Sequence, residues 1–102
     1  MASFNSLELD VIRWAEARKI IQNSTPLVQA IKTTEEVAEL LSALSKNDIE
    51  LAKDAYADIL VTLIIGADMC GFGLVECLEA GYNTIKNRTG HLAKDGTFIK
   101  DS

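Results

Sequence analysis

Glu35-Glu36-Val37-Ala38-Glu39-Leu40 and Lys53-Asp54-Ala55-Tyr56-Ala57-Asp58-Ile59-Leu60 are the two stretches whose reading decides the fold. At about 100° per residue, a helix sets Glu36 and Glu39 about 60° apart on one face, with Lys32 one turn earlier. Asp54 and Asp58, at i,i+4, also share a face. Asp58 opens the most apolar stretch of the chain, Ile59-Leu60-Val61-Thr62-Leu63-Ile64-Ile65. That setting predicts a carboxylate that is not fully solvated, and a buried anion has to be paired or metal-bound. Two antiparallel helices that join these clusters converge three or four carboxylates on one point. Like charges about 6 Å apart repel by roughly 3 kcal/mol at an effective dielectric of about 20, so a cation belongs between them. Oxygen ligands without His or Cys suit a hard divalent ion, most simply Mg²⁺. A plainer reading stays open beside this one. In a chain with 15 acidic residues, Glu-x-x-Glu is also what a solvated helix face presents.

Working outward, 102 residues support one domain, residues 1–102, with a modest core. An apolar share of 48% argues against disorder. The net charge of −5, with no Lys/Arg stripe to offset it, argues against nucleic acid as a partner. An anionic substrate therefore needs a bridging metal or a small local basic cluster. Cys70 and Cys77 sit among apolar residues with no signal peptide before them. They read as reduced, buried thiols, and the expected location is the cytoplasm. The longest apolar run, from Ile59 to Ala67, is far short of the roughly 20 residues that span a bilayer, so no membrane partner is expected.

Four helices are expected. The first covers about residues 6–22, capped by Asn5 or Ser6 with Glu8 near the third position, and carries Leu7, Val11, Trp14, Ala15, Ile20 and Ile21 as its apolar stripe. Trp14 reads as core or interface, with a wall for a planar base as the alternative. Thr25-Pro26 starts the second helix, which runs to about Ser45 with Leu27, Ile31, Ala38, Leu41 and Leu44 as its core stripe. Lys32, Glu36 and Glu39 fall on a different face. Lys46-Asn47-Asp48 form a tight turn, and Asn47 with Glu50 makes a capping box for the third helix, which ends near Met69. That helix is apolar nearly all round after Asp58 and has to be covered on every side, which predicts an oligomer.

Gly71-Phe72-Gly73 break the chain before a fourth helix, about Leu74 to Asn87, whose Val75, Leu78, Tyr82 and Ile85 are expected to face the core. Glu76, Glu79, Asn83 and Lys86 form its opposite stripe, and Gly90 stops it. In the tail, Asp95-Gly96 between alternating stretches predicts a small β-hairpin. His91, the sole histidine, lies in this tail and reads as a surface residue or one behind the ligands, not as a direct metal ligand.

The ordered series Trp14-Ala15-Glu16-x-Arg18, Ser24-Thr25-Pro26, Lys32-x-x-Glu35-Glu36-Val37-x-Glu39-Leu40 and Asp54-Ala55-x-x-Asp58 resembles the MazG-like all-α nucleoside triphosphate pyrophosphohydrolases. Tyr82-x-x-Ile85-Lys86-x-Arg88-x-Gly90 and Asp95-Gly96-x-Phe98-Ile99-Lys100 continue it, so the resemblance covers about residues 10–101. It is best to the small phage- and bacteria-type members. The resemblance implies an antiparallel four-helix bundle with a short C-terminal hairpin, assembled as a dimer or tetramer. The implied activity is Mg²⁺-dependent hydrolysis of a nucleoside triphosphate to the monophosphate and pyrophosphate. Glu36 and Glu39 would be the catalytic metal ligands from the second helix, and Asp58 a ligand from the third. Many members carry Glu three residues before that Asp; here Ala55 stands there, with Asp54 the candidate replacement. Ala57 also replaces a Gly common in the family. Asn83, Lys86 and Arg88 match its substrate-side polar positions, and Lys32 would help offset phosphate charge. The rival readings are a non-catalytic helical oligomerisation module and a di-iron carboxylate bundle. The second needs Glu-x-x-His pairs on helices, and no expected helix here contains a His.

Overall fold

The computed structural model describes residues 2–101. Its spine is a hairpin of two long helices, α3 (Pro26–Ser45) and α4 (Ile49–Met69). Thr25 caps α3, its side-chain oxygen accepting the Val28 N–H at 3.1 Å, and Pro26 occupies the first helical turn as expected. The turn differs in detail from the sequence expectation. Asn47 takes the left-handed conformation (φ 56°), while the Asp48 N–H reaches back to the Ala43 carbonyl and the Asn47 N–H to that of Leu44. This is a Schellman ending, with Asn at the position that has to turn left-handed. Asn47 is thereby spent on closing α3, and Asp48 caps α4 by accepting the Leu51 N–H at 3.1 Å. Gly71 (φ 94°) ends α4 by the same device, with Phe72 N–H donating to the Ala67 carbonyl.

The hairpin seam reverses one expectation. Thr33 and Thr62 hydroxyls meet at 2.7 Å, and a methyl group placed on Gly66 would sit 3.4 Å from Gln29 Cβ. Stepping equally in opposite directions from those pairs brings Glu36 level with Ile59, Leu40 with Ala55 and Ala43 with Ala52. Glu36, Ala43, Ala52, Ala55 and Thr62 are buried accordingly. The helices thus approach along residues spaced alternately three and four apart, the spacing of close antiparallel packing, with Ala52, Ala55, Thr62 and Gly66 keeping the α4 side small. The large stripe expected to be core on α3 faces outward instead: Leu27 is 70% exposed, Leu41 65%, and Ile31, Ala38 and Leu44 are exposed too. The face of α3 that packs is the one its neighbour can approach, and Ala52, Ala55 and Gly66 on α4 admit closely the face that carries Thr33, Glu36 and Ala43.

α1 (Phe4–Ala17) lies against α4 and buries Ala15 completely. Its cap is Ser3, which accepts the Ser6 N–H, so the helix starts earlier than Asn5 or Ser6 would set it. It also stops earlier. Lys19 adopts φ 64°, and the remaining residues form a separate turn, α2 (Ile20–Asn23), that holds Ile20 and Ile21 half-buried. α5 (Leu74–Ile85) leaves α4 at 99°. The Glu8 carboxylate accepts the Val75 N–H at 3.1 Å and ties α5 to α1. Of the stripe expected to face the core, Val75 is half-buried, whereas Leu78, Tyr82 and Ile85 are exposed, because α1 and α4 reach only the start of α5.

The tail forms the expected antiparallel hairpin, β1 (Gly90–Leu92) with β2 (Phe98–Lys100), pairing His91 with Ile99. Gly96 (φ 91°) makes its turn, and a side chain at Gly90 would run into the Ile99 carbonyl. No single helix is long and apolar enough to cross a membrane.

Candidate functional site

Glu36 is the one buried carboxylate among the described residues, 6% exposed, on the seam face of α3. The helix puts it there because it lies one turn on from Thr33, one turn before Leu40 and two before Ala43, which follow the same seam. Its Oε1 lies 3.6 Å from Lys32 Nζ; its Oε2 is buried with no hydrogen-bond partner. Lys32 also reaches Glu35 Oε2 at 3.5 Å. Its ammonium is held charged to higher pH than usual, first by the Glu35 charge, then by the hydrogen bond to Glu35 and the charge of Glu36. With half its side chain in water, Lys32 satisfies Glu36 only from one side.

The remaining sequence candidates are distributed around this group. Glu39 is one turn further along α3 and exposed. Asp58 precedes Ile59, the residue level with Glu36, so it flanks Glu36 across the seam. It too is exposed, contrary to the expectation of partial burial, because the seam of α4 passes through Ala55, Ile59 and Thr62 and leaves Asp58 beside it. Asp54 is exposed next to Ala55, which fills the seam opposite Leu40. Among the described residues, no group of three or more His, Cys, Asp or Glu side chains stands arranged to hold a metal ion. The hairpin brings the acidic helices together, then, without closing their carboxylates on one point within a single chain.

A basic cavity adjoins the site. Arg18, Lys19 and Lys32, with Asn23, Thr25 and Gln29, line a cleft of about 610 Å³ whose walls include no carboxylate. Trp14 stands at its side, with the Arg18 guanidinium 4.6 Å over the ring. Trp14 is 44% exposed, so Ala15 and not Trp14 is the core residue of α1. Arg18 stands in the Trp14-Ala15-Glu16-x-Arg18 series without a site role of its own, and Lys19 was not singled out; the i,i+4 spacing of Trp14 and Arg18 was the available signal. Asn83, Lys86 and Arg88 are exposed, and no ion pair or side-chain hydrogen bond among the described residues joins them to the carboxylates. His91 is exposed on β1, away from the helices. Cys70 and Cys77 are free and exposed, not buried, and border an apolar cleft.

No protein-family model and no solved structure matches the chain. Over 65 residues, 64% of its length, it is 38% identical to a protein of Haemophilus phage HP1 (strain HP1c1) described as an uncharacterized 18.2 kDa protein in the rep-hol intergenic region. The match takes in 40% of that relative's own length, and its description names no activity.

Proposed function

We propose that this chain is a metal-dependent nucleoside triphosphate pyrophosphohydrolase of the MazG-like kind, releasing the monophosphate and pyrophosphate. The observation that carries the reading is the buried, unpartnered Oε2 of Glu36, in a Glu-Glu-x-x-Glu helix packed against the helix that bears Asp58. A buried carboxylate oxygen without a donor costs about 1–3 kcal/mol, which a hard cation at the site recovers. The donor set fits Mg²⁺ in kind, being oxygen throughout. Glu36 and Glu39 would hold it from α3 and Asp58 from α4, with Asp54 the candidate fourth ligand. Glu39, Asp54 and Asp58, all exposed, retain the rotamer freedom to turn toward a cation. Bound there, Mg²⁺ would supply charge neutralisation for the polyphosphate and polarisation of the attacking water.

The chain's own residues do the rest. Lys32, 3.6 Å from Glu36 Oε1 and half exposed, would offer its ammonium to a phosphate oxygen. Arg18 and Lys19 add positive charge in a chain whose net charge is −5. Trp14 offers an exposed planar face for a base, and Asn83 on α5, Lys86 at its C-cap and Arg88 just beyond are the further substrate-side candidates. Pyrophosphate release from a panel of ribo- and deoxyribonucleoside triphosphates, with and without Mg²⁺, tests the reading. Melting with and without Mg²⁺ supplies a readout independent of turnover. A non-catalytic helical module is the second reading, favoured by the carboxylates' failure to converge within one chain. Absence of both hydrolysis and Mg²⁺ stabilisation would select it.

A further inference from the structure

One cleft of the molecule is basic in a chain that is acidic overall. Arg18 and Lys19 from the link between α1 and α2, Asn23 from α2, and Gln29 and Lys32 from α3 surround about 610 Å³ with no carboxylate in the walls. Lys32 is shared with Glu35 and Glu36, whereas Arg18 and Lys19 make no ion pair among the described residues. Two unshared cations that line one cavity repel each other, and an anion between them relieves both. We propose that this cleft is an anion site that takes a phosphate or pyrophosphate group directly, without a bridging metal.

The backbone at Lys19 argues that the lysine is kept for its ammonium. α1 ends at Ala17, and Lys19 makes the left-handed turn into α2 at φ 64°. Glycine or asparagine is the ordinary occupant of such a position, because a Cβ crowds the neighbouring carbonyl there. The lysine side chain contributes nothing to the turn. The Lys19 N–H donates to the Glu16 carbonyl, as any residue's would, and the Lys19 carbonyl accepts the Asn23 side-chain amide at 2.8 Å. Strain held at one residue points to a site, and here it sets a second free cation beside Arg18.

Arg18 has the chemistry for the same ligand. Its guanidinium lies 4.6 Å over the Trp14 ring and makes one long hydrogen bond, 3.4 Å to the Trp14 carbonyl. Most of its five donors are therefore unspent, and the planar fork matches two oxygens of a phosphate. Stacking on the indole fixes the plane of that fork without using a donor. Three cations around one cavity suit a compact anion of two or more charges better than a singly charged carboxylate. An extended polyanion meets the net charge of −5 beyond the cleft. The inference stands apart from the hydrolase reading, because the site uses neither Mg²⁺ nor Glu36.

Calorimetric titration of the purified chain with inorganic phosphate, pyrophosphate and a nucleoside monophosphate, in metal-free buffer at fixed ionic strength, tests the proposal. Trp14, the one tryptophan of the chain, gives a second signal through its emission. The expected result is saturable binding, with acetate at least about tenfold weaker than pyrophosphate. Tighter binding of the monophosphate than of pyrophosphate makes a nucleotide the source of the phosphate; the reverse makes it a free anion. Arg18→Gln and Lys19→Gly should each weaken binding at least about tenfold, the worth of one charge-assisted hydrogen bond. Lys94→Ala, in the tail hairpin, should leave it unchanged. Lys19→Gly should also melt at or above the wild type, since glycine relieves the left-handed turn, so its lost affinity is not lost folding. Absence of saturable binding, acetate that binds as tightly as pyrophosphate, or undiminished binding by Arg18→Gln and Lys19→Gly overturns the proposal.

Discussion

Replacing Glu36 by Leu should stabilise the metal-free protein while abolishing turnover. Glu36 Oε2 is buried without a partner, and a group left in that state costs about 1–3 kcal/mol. Leu removes the stranded acceptor and leaves an apolar side chain of similar size opposite Ile59. Replacing a buried charge by a well-packed apolar group is commonly neutral or favourable. The variant also loses the 3.6 Å contact with Lys32, but that lysine lies largely in water, where screening makes an ion pair a minor term. A net gain of about 1 kcal/mol or more raises the melting midpoint in chelator by about 4–8 °C for a chain of this size. Added Mg²⁺ should stabilise the wild type and not the variant, because mass-action stabilisation requires the site. Both proteins are compared at one protomer concentration, since the melting of an oligomer depends on it. A Glu36→Leu protein that melts below the wild type in chelator, or that still releases pyrophosphate at the wild-type rate, refutes the reasoning.

Lys86→Ala should slow turnover or weaken substrate binding at least about tenfold, or about 1.4 kcal/mol, at little cost in stability. Steady-state kinetics beside a melt decide this, and unchanged kinetic constants assign Lys86 to the helix end alone. Asn47→Ala should destabilise the hairpin by about 1 kcal/mol, because the φ of 56° burdens a residue with a Cβ, whereas Asn47→Gly should melt at or above the wild type. The Thr97 N–H bond holds the Asp95 carboxyl below its ordinary value of 3.8. Its contribution to the tail turn is therefore complete above that value and is lost as pH falls through the depressed one. An NMR pH titration following the Thr97 amide should show this low-pH transition, and Asp95→Asn should remove it.

Much of the local structure was legible in the sequence. Thr25-Pro26, Gly71 and Asp95-Gly96 each act within a few residues, and each marked its boundary or turn correctly. Both long helices, the break before α5 and the terminal hairpin follow from such signals. The acidic pairs were also legible as belonging to two neighbouring helices, since a short turn between long helices makes them antiparallel. What the tertiary structure alone decided was which stripe of each helix faces inward. α3 carries a large apolar stripe and a mixed one, and counting hydrophobic residues favoured Leu27, Ile31 and Leu41 over the mixed face through Thr33, Glu36 and Ala43. The close approach permitted by Ala52, Ala55 and Gly66 chose the mixed one. That choice buried Glu36, exposed Asp58 and left the large side chains facing outward. Periodicity reports that a face is apolar; only packing determines which neighbour covers it.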